Sequence, residues 1–243
     1  MEKKDLSIII PAYREENRIL TALKSIDEHF FHSNLKYEVI VVEDGIIDQT
    51  GAIVKEFAKK NPAIRLVSYK SNLGKGSAVR KGMQESKGKL VLFTDADMAT
   101  PIGEVEKFFS YFEEGYETVI ASRRIKGAKI RVYQKPLRRF LGWLFHTIRR
   151  LIILRELKDT QCGFKCFTLE AAKKIAEKSE LDGFVFDVEI LSIAKGLGYK
   201  IKEIPVMWID GAKTTLSVRK HFFGILKELL KVKWRSLRGK YRV

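Results

Sequence analysis

The stretch KLVLFTDADMATP, Lys89 to Pro101, ends an apolar run in two carboxylates, Asp95 and Asp97, with Ala96 between them. At the end of a β-strand, side chains at i and i+2 share a face. Two carboxylates on one face repel unless a cation lies between them. Mg2+ or Mn2+ suits such hard oxygen donors and usually completes its shell with substrate phosphates and water. The pair therefore fits a divalent metal that bridges a diphosphate and stabilises it as a leaving group. D-x-D alone fits a solvated turn with helix-capping aspartates equally well.

Three further stretches gather chemistry. PAYREE (11–16) follows one apolar run, EDG (43–45) ends a second, and NLGKGSAVRKG (72–82) opens a helical pattern. Gly74 and Gly76 at a helix start permit close backbone approach to a ligand, and Lys75 and Arg80 can neutralise phosphate. The segment has neither the G-x-x-x-x-G-K-[ST] spacing of a P-loop nor the G-x-G-x-x-G of a dinucleotide-binding turn. The elements that must position these residues alternate. Apolar runs at 6–13, 37–45, 64–70 and 89–97 read as strands. Helical spacing at 15–31, 50–61 and 74–88 separates them. This rhythm predicts an α/β fold with a mostly parallel sheet and helices on both faces. Ligands of such sheets lie at the carboxyl ends of the strands, where these acids fall. Farther on, 158–178 reads as loop, short strand and helix, 184–198 as a helix, and 199–209 as one strand.

PAYREE, EDG, NLGKGSAVRKG and DAD, in this order, resemble the inverting glycosyltransferases of family 2, which have the GT-A fold. SRR (122–124), DTQCGFK (159–165), FDVE (186–189) and the IPVMW strand look closest to dolichyl- or polyprenyl-phosphate glycosyltransferases, above all the β-glucosyl branch. The resemblance implies that Glu15 and Asp44 hold the nucleoside, with Pro11, Ala12 and Tyr13 lining the base pocket. Glu43 keeps the charge of a commoner Asp, whereas Ile46 and Ile47 replace small polar residues. Lys75, Asp95 and Ala96 complete the nucleotide-sugar site. Arg123 reaches the diphosphate, and Asp159, Gln161, Asp187 and Glu189 line the sugar and acceptor site. The implied donor is UDP-glucose, with GDP-mannose as the alternative, and the implied acceptor is a polyprenyl phosphate. Trp208 reads as core or pocket wall.

The chain has 243 residues and a net charge of +16, unevenly spread. Residues 124–155 hold ten Lys/Arg and no acid, and residues 211–243 hold ten Lys/Arg and one acid, Glu228. The remainder is close to neutral, so the charge needs a local explanation. On a helical wheel Arg138, Arg139, His146, Arg149 and Arg150 fall on one side of 137–155, with Leu, Ile, Phe and Trp over the rest. In 220–235, Lys220, His221, Lys227, Glu228, Lys231 and Arg235 share one side, and Phe222, Phe223, Ile225, Leu226, Leu229, Leu230 and Trp234 the other. Cationic amphipathic helices with Trp and Phe suit an anionic membrane interface. Packing of the same helices on the sheet or a partner would produce the same pattern.

No run reaches 18 uncharged apolar residues, and the N-terminus has no signal-peptide pattern. Cys162 and Cys166 read as free thiols of a reducing cytoplasm. Nucleic acid is not expected, because no RNP, zinc-finger or helix-turn-helix signature accompanies the charge. The resulting expectation is a GT-A domain over 1–210, including the interface segment 131–155, and a basic tail over 211–243. The protein would sit peripherally on the cytoplasmic, inner face of a membrane.

Overall fold

The computed structural model describes residues 4–131, 153–183, 185–209 and 218–242. The apolar runs form β1 (Leu6–Ala12), β2 (Tyr37–Asp44), β3 (Ile64–Tyr69) and β4 (Leu90–Thr94). Between them lie α1 (Ile19–Phe30), α2 (Thr50–Ala58) and α3 (Lys75–Glu85). β1 is buried along its whole length, because helices cover both faces of the sheet. Alternate residues feed two cores. Ile8 and Ile10 pack with Leu23, Ile26 and Phe108 on one face, while Ile9 and Val42 pack with Val79, Met83 and Phe186 on the other.

After β4 come a 3-10 turn (Ile102–Val105), α4 (Glu106–Glu113), β5 (Thr118–Ser122) and β6 (Lys129–Arg131). β7 (Phe164–Thr168), α5 (Leu169–Lys178), α6 (Phe186–Gly196), β8 (Ile201–Pro205), β9 (Met207–Ile209) and α7 (Val218–Leu237) follow. The large sheet has seven strands in the order β3-β2-β1-β4-β7-β5-β8. All its pairings are parallel except those of β7, which runs antiparallel to both β4 and β5. The mixed α/β architecture is the one expected. β7 has a specific consequence: it delivers its amino end, Cys162 and Gly163, to the edge where the parallel strands deliver their carboxyl ends.

The strand expected over 199–209 is two. β8 pairs with β5, and β9 pairs with β6 in a separate two-stranded sheet. Pro205 has no N–H to continue the ladder, and the chain changes sheet at Val206.

The basic helix over 220–235 exists as α7, but its inward face differs from the expectation. Leu229 and Val232 pack into the core beside α6, and Arg235 is buried with them at 5% exposure. Leu230, Trp234 and Leu237 are exposed at 53, 48 and 72%. Arg235 turns inward because acids wait for it. It donates to Glu189 Oε1 at 3.1 Å and pairs with Glu180. Glu189 is fully buried and also accepts from the Tyr241 hydroxyl (3.1 Å) and the N–H groups of Glu180 (2.9 Å) and Leu181 (2.7 Å). Glu189 is therefore the fastening of α7 and not a lining of the acceptor site. The segment expected as a helix over 137–155, with Arg138, Arg139, His146, Arg149 and Arg150, lies outside the described residues up to 152.

Removing one partner of a buried, fully bonded ion pair costs about 3–5 kcal/mol, because a charge is left without its counterpart. Glu189→Ala should lower unfolding stability by that amount in urea titrations. A loss below about 1 kcal/mol, the value of a surface pair, would contradict the fastening role.

Candidate active site

Asp95, Ala96 and Asp97 lie just past β4. The i, i+2 strand geometry expected for the two aspartates is replaced by a turn, in which Met98 N–H donates to Asp95 O at 3.1 Å. Met98 sits at φ +49°, and Arg14, in PAYREE, at φ +57°. Left-handed backbone is costly for such residues and marks places that the surroundings hold firmly. Asp95 N–H donates to Gly163 O at 3.1 Å, and a Cβ on Gly163 would overlap the Asp95 carboxylate. The glycine of QCGFK is thus the room into which Asp95 fits.

The acids here feel one another. Burial and the charge of Asp95 raise the Asp97 pKa, against an N–H bond from Ala99 to Asp97 Oδ1 at 3.1 Å. Burial raises Glu15, opposed by Arg18 at 2.7 Å and reinforced by Asp97 and Asp95. Among the described residues no group of three or more His, Cys, Asp or Glu forms a metal cage. The donor set is two carboxylates, of which Asp95 is met by a single lysine, Lys75. Such a set fits a divalent cation that takes its other ligands from a diphosphate and water.

Lys75 opens α3 and reaches Asp95, Nζ to Oδ1 at 2.5 Å. Burial works against its charge, but Asp95 and Asp187 outweigh it and raise its pKa. Its ammonium lies 5.6 and 5.7 Å from the ring centroids of Phe93 and Phe186. The loop beneath it is fixed. Gly74 has φ +108°, Gly76 N–H donates to Asp182 O at 2.9 Å, and a Cβ on either glycine would collide with the Leu181–Asp182 backbone.

Asp44 and Glu43 are expected at the nucleoside, yet their oxygens are taken up inside the chain. Asp44 accepts from Leu73 N–H (2.7 Å), Gly74 N–H (2.8 Å) and Asn72 Nδ2 (2.8 Å), so it shapes the NLGKG loop. Glu43 accepts from Gly51 N–H (2.8 Å) and Ser68 Oγ (2.7 Å) and fixes the start of α2. Pro11 and Ala12 are buried at the end of β1, and Tyr13 is exposed beyond them. Ile46 and Ile47 are exposed beside the EDG turn.

The remaining expected residues meet at the end of β5. Arg123 forks onto Asp159, Nε to Oδ2 at 2.7 Å and Nη2 to Oδ1 at 2.9 Å, while its own N–H donates at 3.0 Å. The guanidinium carbon stands 5.2 Å from the Trp208 ring centroid, so Trp208 is the platform of this arginine. Gln161 N–H donates to Asp159 Oδ1 at 3.3 Å. Asp187 is buried and pairs with Lys165, to which no sequence motif assigns a role. Lys165 is wholly buried; Nζ also donates to Cys162 O at 2.6 Å and stands 5.0 Å from the Phe93 ring centroid. Lys165 is two residues from Gly163, which meets Asp95, a relation that the antiparallel pairing of β7 with β4 creates. Burial opposes the charge of Asp159, but Arg123 prevails and holds its carboxyl far below the usual range. A depressed carboxyl contributes stability that is complete above the unfolded pKa of about 4 and is lost as pH falls through the folded value. In urea titrations at stepped pH, wild type should exceed Asp159→Asn at neutral pH, and the gap should begin to narrow below about pH 4 and go on narrowing as pH falls. A gap that stays constant with pH would break the link to Arg123.

The model of the glycosyl transferase family 2 domain matches residues 7–176. A dolichyl-phosphate beta-glucosyltransferase of Trichomonas vaginalis is 37% identical over 225 residues, which span 87% of this chain and 68% of that protein. The Saccharomyces cerevisiae dolichyl-phosphate beta-glucosyltransferase is 34% identical over 261 residues, 98% of this chain and 76% of its own. Among solved structures, mannosyl-3-phosphoglycerate synthase from Rubrobacter xylanophilus superposes with a TM-score of 0.71 at 16% identity, covering 99% of this chain and 76% of that one. Glucosyl-3-phosphoglycerate synthase from Mycobacterium tuberculosis, solved with Mn2+ and UDP-glucose, gives a TM-score of 0.68 at 17% identity, covering 96 and 79%. With the GT-A architecture and the acidic strand edge in place, the chain belongs to glycosyl transferase family 2.

Proposed function

We propose that this chain transfers glucose, with inversion, from UDP-glucose to a polyprenyl (dolichyl-type) phosphate at a membrane surface. The observation that carries the reading is that the acidic turn after β4, Asp95 and Asp97, and Arg123 after β5 lie at the same edge of the sheet, where Arg123 feels the charge of Asp95. A nucleotide-sugar diphosphate with its metal suits the acidic turn, and a phosphate acceptor suits Arg123. The relatives named as dolichyl-phosphate beta-glucosyltransferases favour glucose over mannose.

Asp95 and Asp97 would hold Mg2+ or Mn2+, which when bound offsets the charge that grows on the departing diphosphate. Tyr13 and Glu15 flank the nucleoside, while Asp44 and Glu43 act one layer back by fixing the loops around it. The acceptor phosphate has a second pKa of about 6 and is anionic near neutral pH. Its oxygen attacks the anomeric carbon as the bond to the diphosphate breaks, and the electron pair leaves with UDP. No proton has to be removed, so no general base is needed. That agrees with Asp159 and Asp187 being tied to Arg123 and Lys165. Arg123, held on Trp208 by Asp159, is assigned here to the acceptor phosphate and not to the diphosphate where the family resemblance put it, and with the exposed Arg124 it attracts and aligns that phosphate.

A lipid acceptor keeps its tail in the bilayer, so the site has to lie against the surface. No helix among the described residues is long and apolar enough to cross a membrane. The outer face of α7 offers Leu230, Trp234 and Leu237 with Lys227 and Lys231, and Arg238 lies 4.1 Å from the Trp234 ring centroid. That combination fits an anionic cytoplasmic leaflet. Arg138, Arg139, Arg149 and Arg150 are the second proposed contact.

Purified protein with labelled UDP-glucose, Mg2+ and dolichyl phosphate should pass label to the lipid phase, and labelled GDP-mannose should not. Asp97→Asn or EDTA should lower the rate by more than about a hundredfold. Absence of lipid label with either donor would reject the reading, and label from GDP-mannose alone would replace the sugar. Vesicles containing anionic lipid should pellet the protein at low salt and release it as salt rises. Joint replacement of Leu230, Trp234 and Leu237 by Ser should weaken that binding. Equal pelleting of the variant and wild type would remove α7 from the contact.

A further inference from the structure

Four charges of alternating sign run through the donor side of the site. Lys165 is sealed in the core and pairs with Asp187. Asp187 acts on Lys75, and Lys75 holds Asp95 Oδ1 at 2.5 Å. Lys165 is fixed by Cys162 O, Asp187 and the Phe93 ring. Asp95 is fixed by its N–H bond to Gly163 O. The backbone of Lys75 is held too: Gly76 N–H donates to Asp182 O at 2.9 Å, and Gly74 and Gly76 lie so close to Leu181 and Asp182 that neither has space for a Cβ. The Lys75 side chain is the movable member: four methylenes, partly exposed, between two aromatic rings.

We infer that Lys75 is a resident cation that occupies Asp95 while the donor site is empty and passes to the donor diphosphate when a divalent metal takes its place. The inference rests on the donor reading above. An ammonium on a metal-ligand oxygen competes with the metal for that oxygen. Once displaced, it stays close, because the buried Asp187 carboxylate, itself anchored by Lys165, continues to attract it. The diphosphate that arrives with the metal supplies new negative charge within reach of a side chain whose root does not move. Metal alone therefore binds against a competitor, whereas metal with nucleotide binds with a helper. Lys75 is in this sense a positioning residue that makes the two ligands prefer each other.

The test separates those two halves. Mn2+ affinity is measured on the full chain without nucleotide, from the loss of the free-ion paramagnetic signal. UDP affinity is measured by calorimetry at saturating Mn2+. Lys75→Met keeps the apolar stem and removes the charge. It should bind Mn2+ alone about tenfold more tightly than wild type and bind UDP with Mn2+ about tenfold more weakly. Lys75→Arg, which keeps a cation, should return Mn2+ affinity toward the wild-type value. A merely structural lysine would weaken both ligands in Lys75→Met. Mn2+ affinity that is unchanged or lower in that variant, or unchanged UDP affinity, overturns the inference. If wild type with Mn2+ fails to bind UDP at all, the donor reading falls and takes the handover with it; the Mn2+ arm, which uses no nucleotide, still decides the competition.

Discussion

Everything at this site follows from carboxylates gathered in one place. Burial raises the cost of ionising Asp97 and Glu15, and the charge of Asp95 adds to it at both. Like charges at close range, partly withdrawn from water, require cations or a firm scaffold. The fold supplies both. Lys75 and Arg18 reach in from helix starts, and strained backbone at Met98 and Arg14 holds the turns that carry the acids. Lys75 meets Asp95 and Arg18 meets Glu15, so neither cation pairs with Asp97.

The sheet explains how residues so far apart arrive together. β1, β2 and β4 run parallel and present Ala12, Asp44 and Asp95 at one edge. β7 lies antiparallel between β4 and β5, so its beginning and not its end comes to the same edge. That reversal places Gly163 against Asp95 and brings the preceding loop, with Asp159, to Arg123 at the end of β5. A parallel strand in that position would have sent Cys162 and Gly163 to the opposite edge.

The first half of the fold was legible because buried parallel strands read as apolar runs and their helices as 3.6-residue patterns. Strand direction is not a local property, so β7 gave no such signal. Pairing partners were equally hidden. Lys165 sits in an apolar strand, where a lysine is rarely fully buried without a partner, but Asp187 comes 22 residues later. Asp44 and Glu43 were recognisable as acids at a strand end. That their oxygens brace loops follows from the N–H groups of Leu73, Gly74 and Gly51, which only the folded backbone aims. The α7 wheel misassigned Arg235, because hydropathy does not register two acids 46 and 55 residues away, and it set Leu230 and Trp234 apart from Lys227 and Lys231, with which they are exposed.

The misassigned arginine also clarifies how the outer surface is tied to the site. With Arg235 turned inward, α7 is fixed through Leu229, Val232 and the Glu189 cluster, and its Leu230, Trp234 and Leu237 are left facing outward. Glu189 in turn holds the N–H groups of Glu180 and Leu181, next to the turn whose Asp182 carbonyl receives Gly76 N–H. The apolar outer face and the glycine loop that carries Lys75 therefore share one short piece of backbone. An exposed apolar strip on a loosely attached helix would be free to fold back and cover itself. Fastened by a buried charge cluster, it remains presented in a fixed relation to the glycine loop, as the proposed action on a membrane-borne phosphate requires.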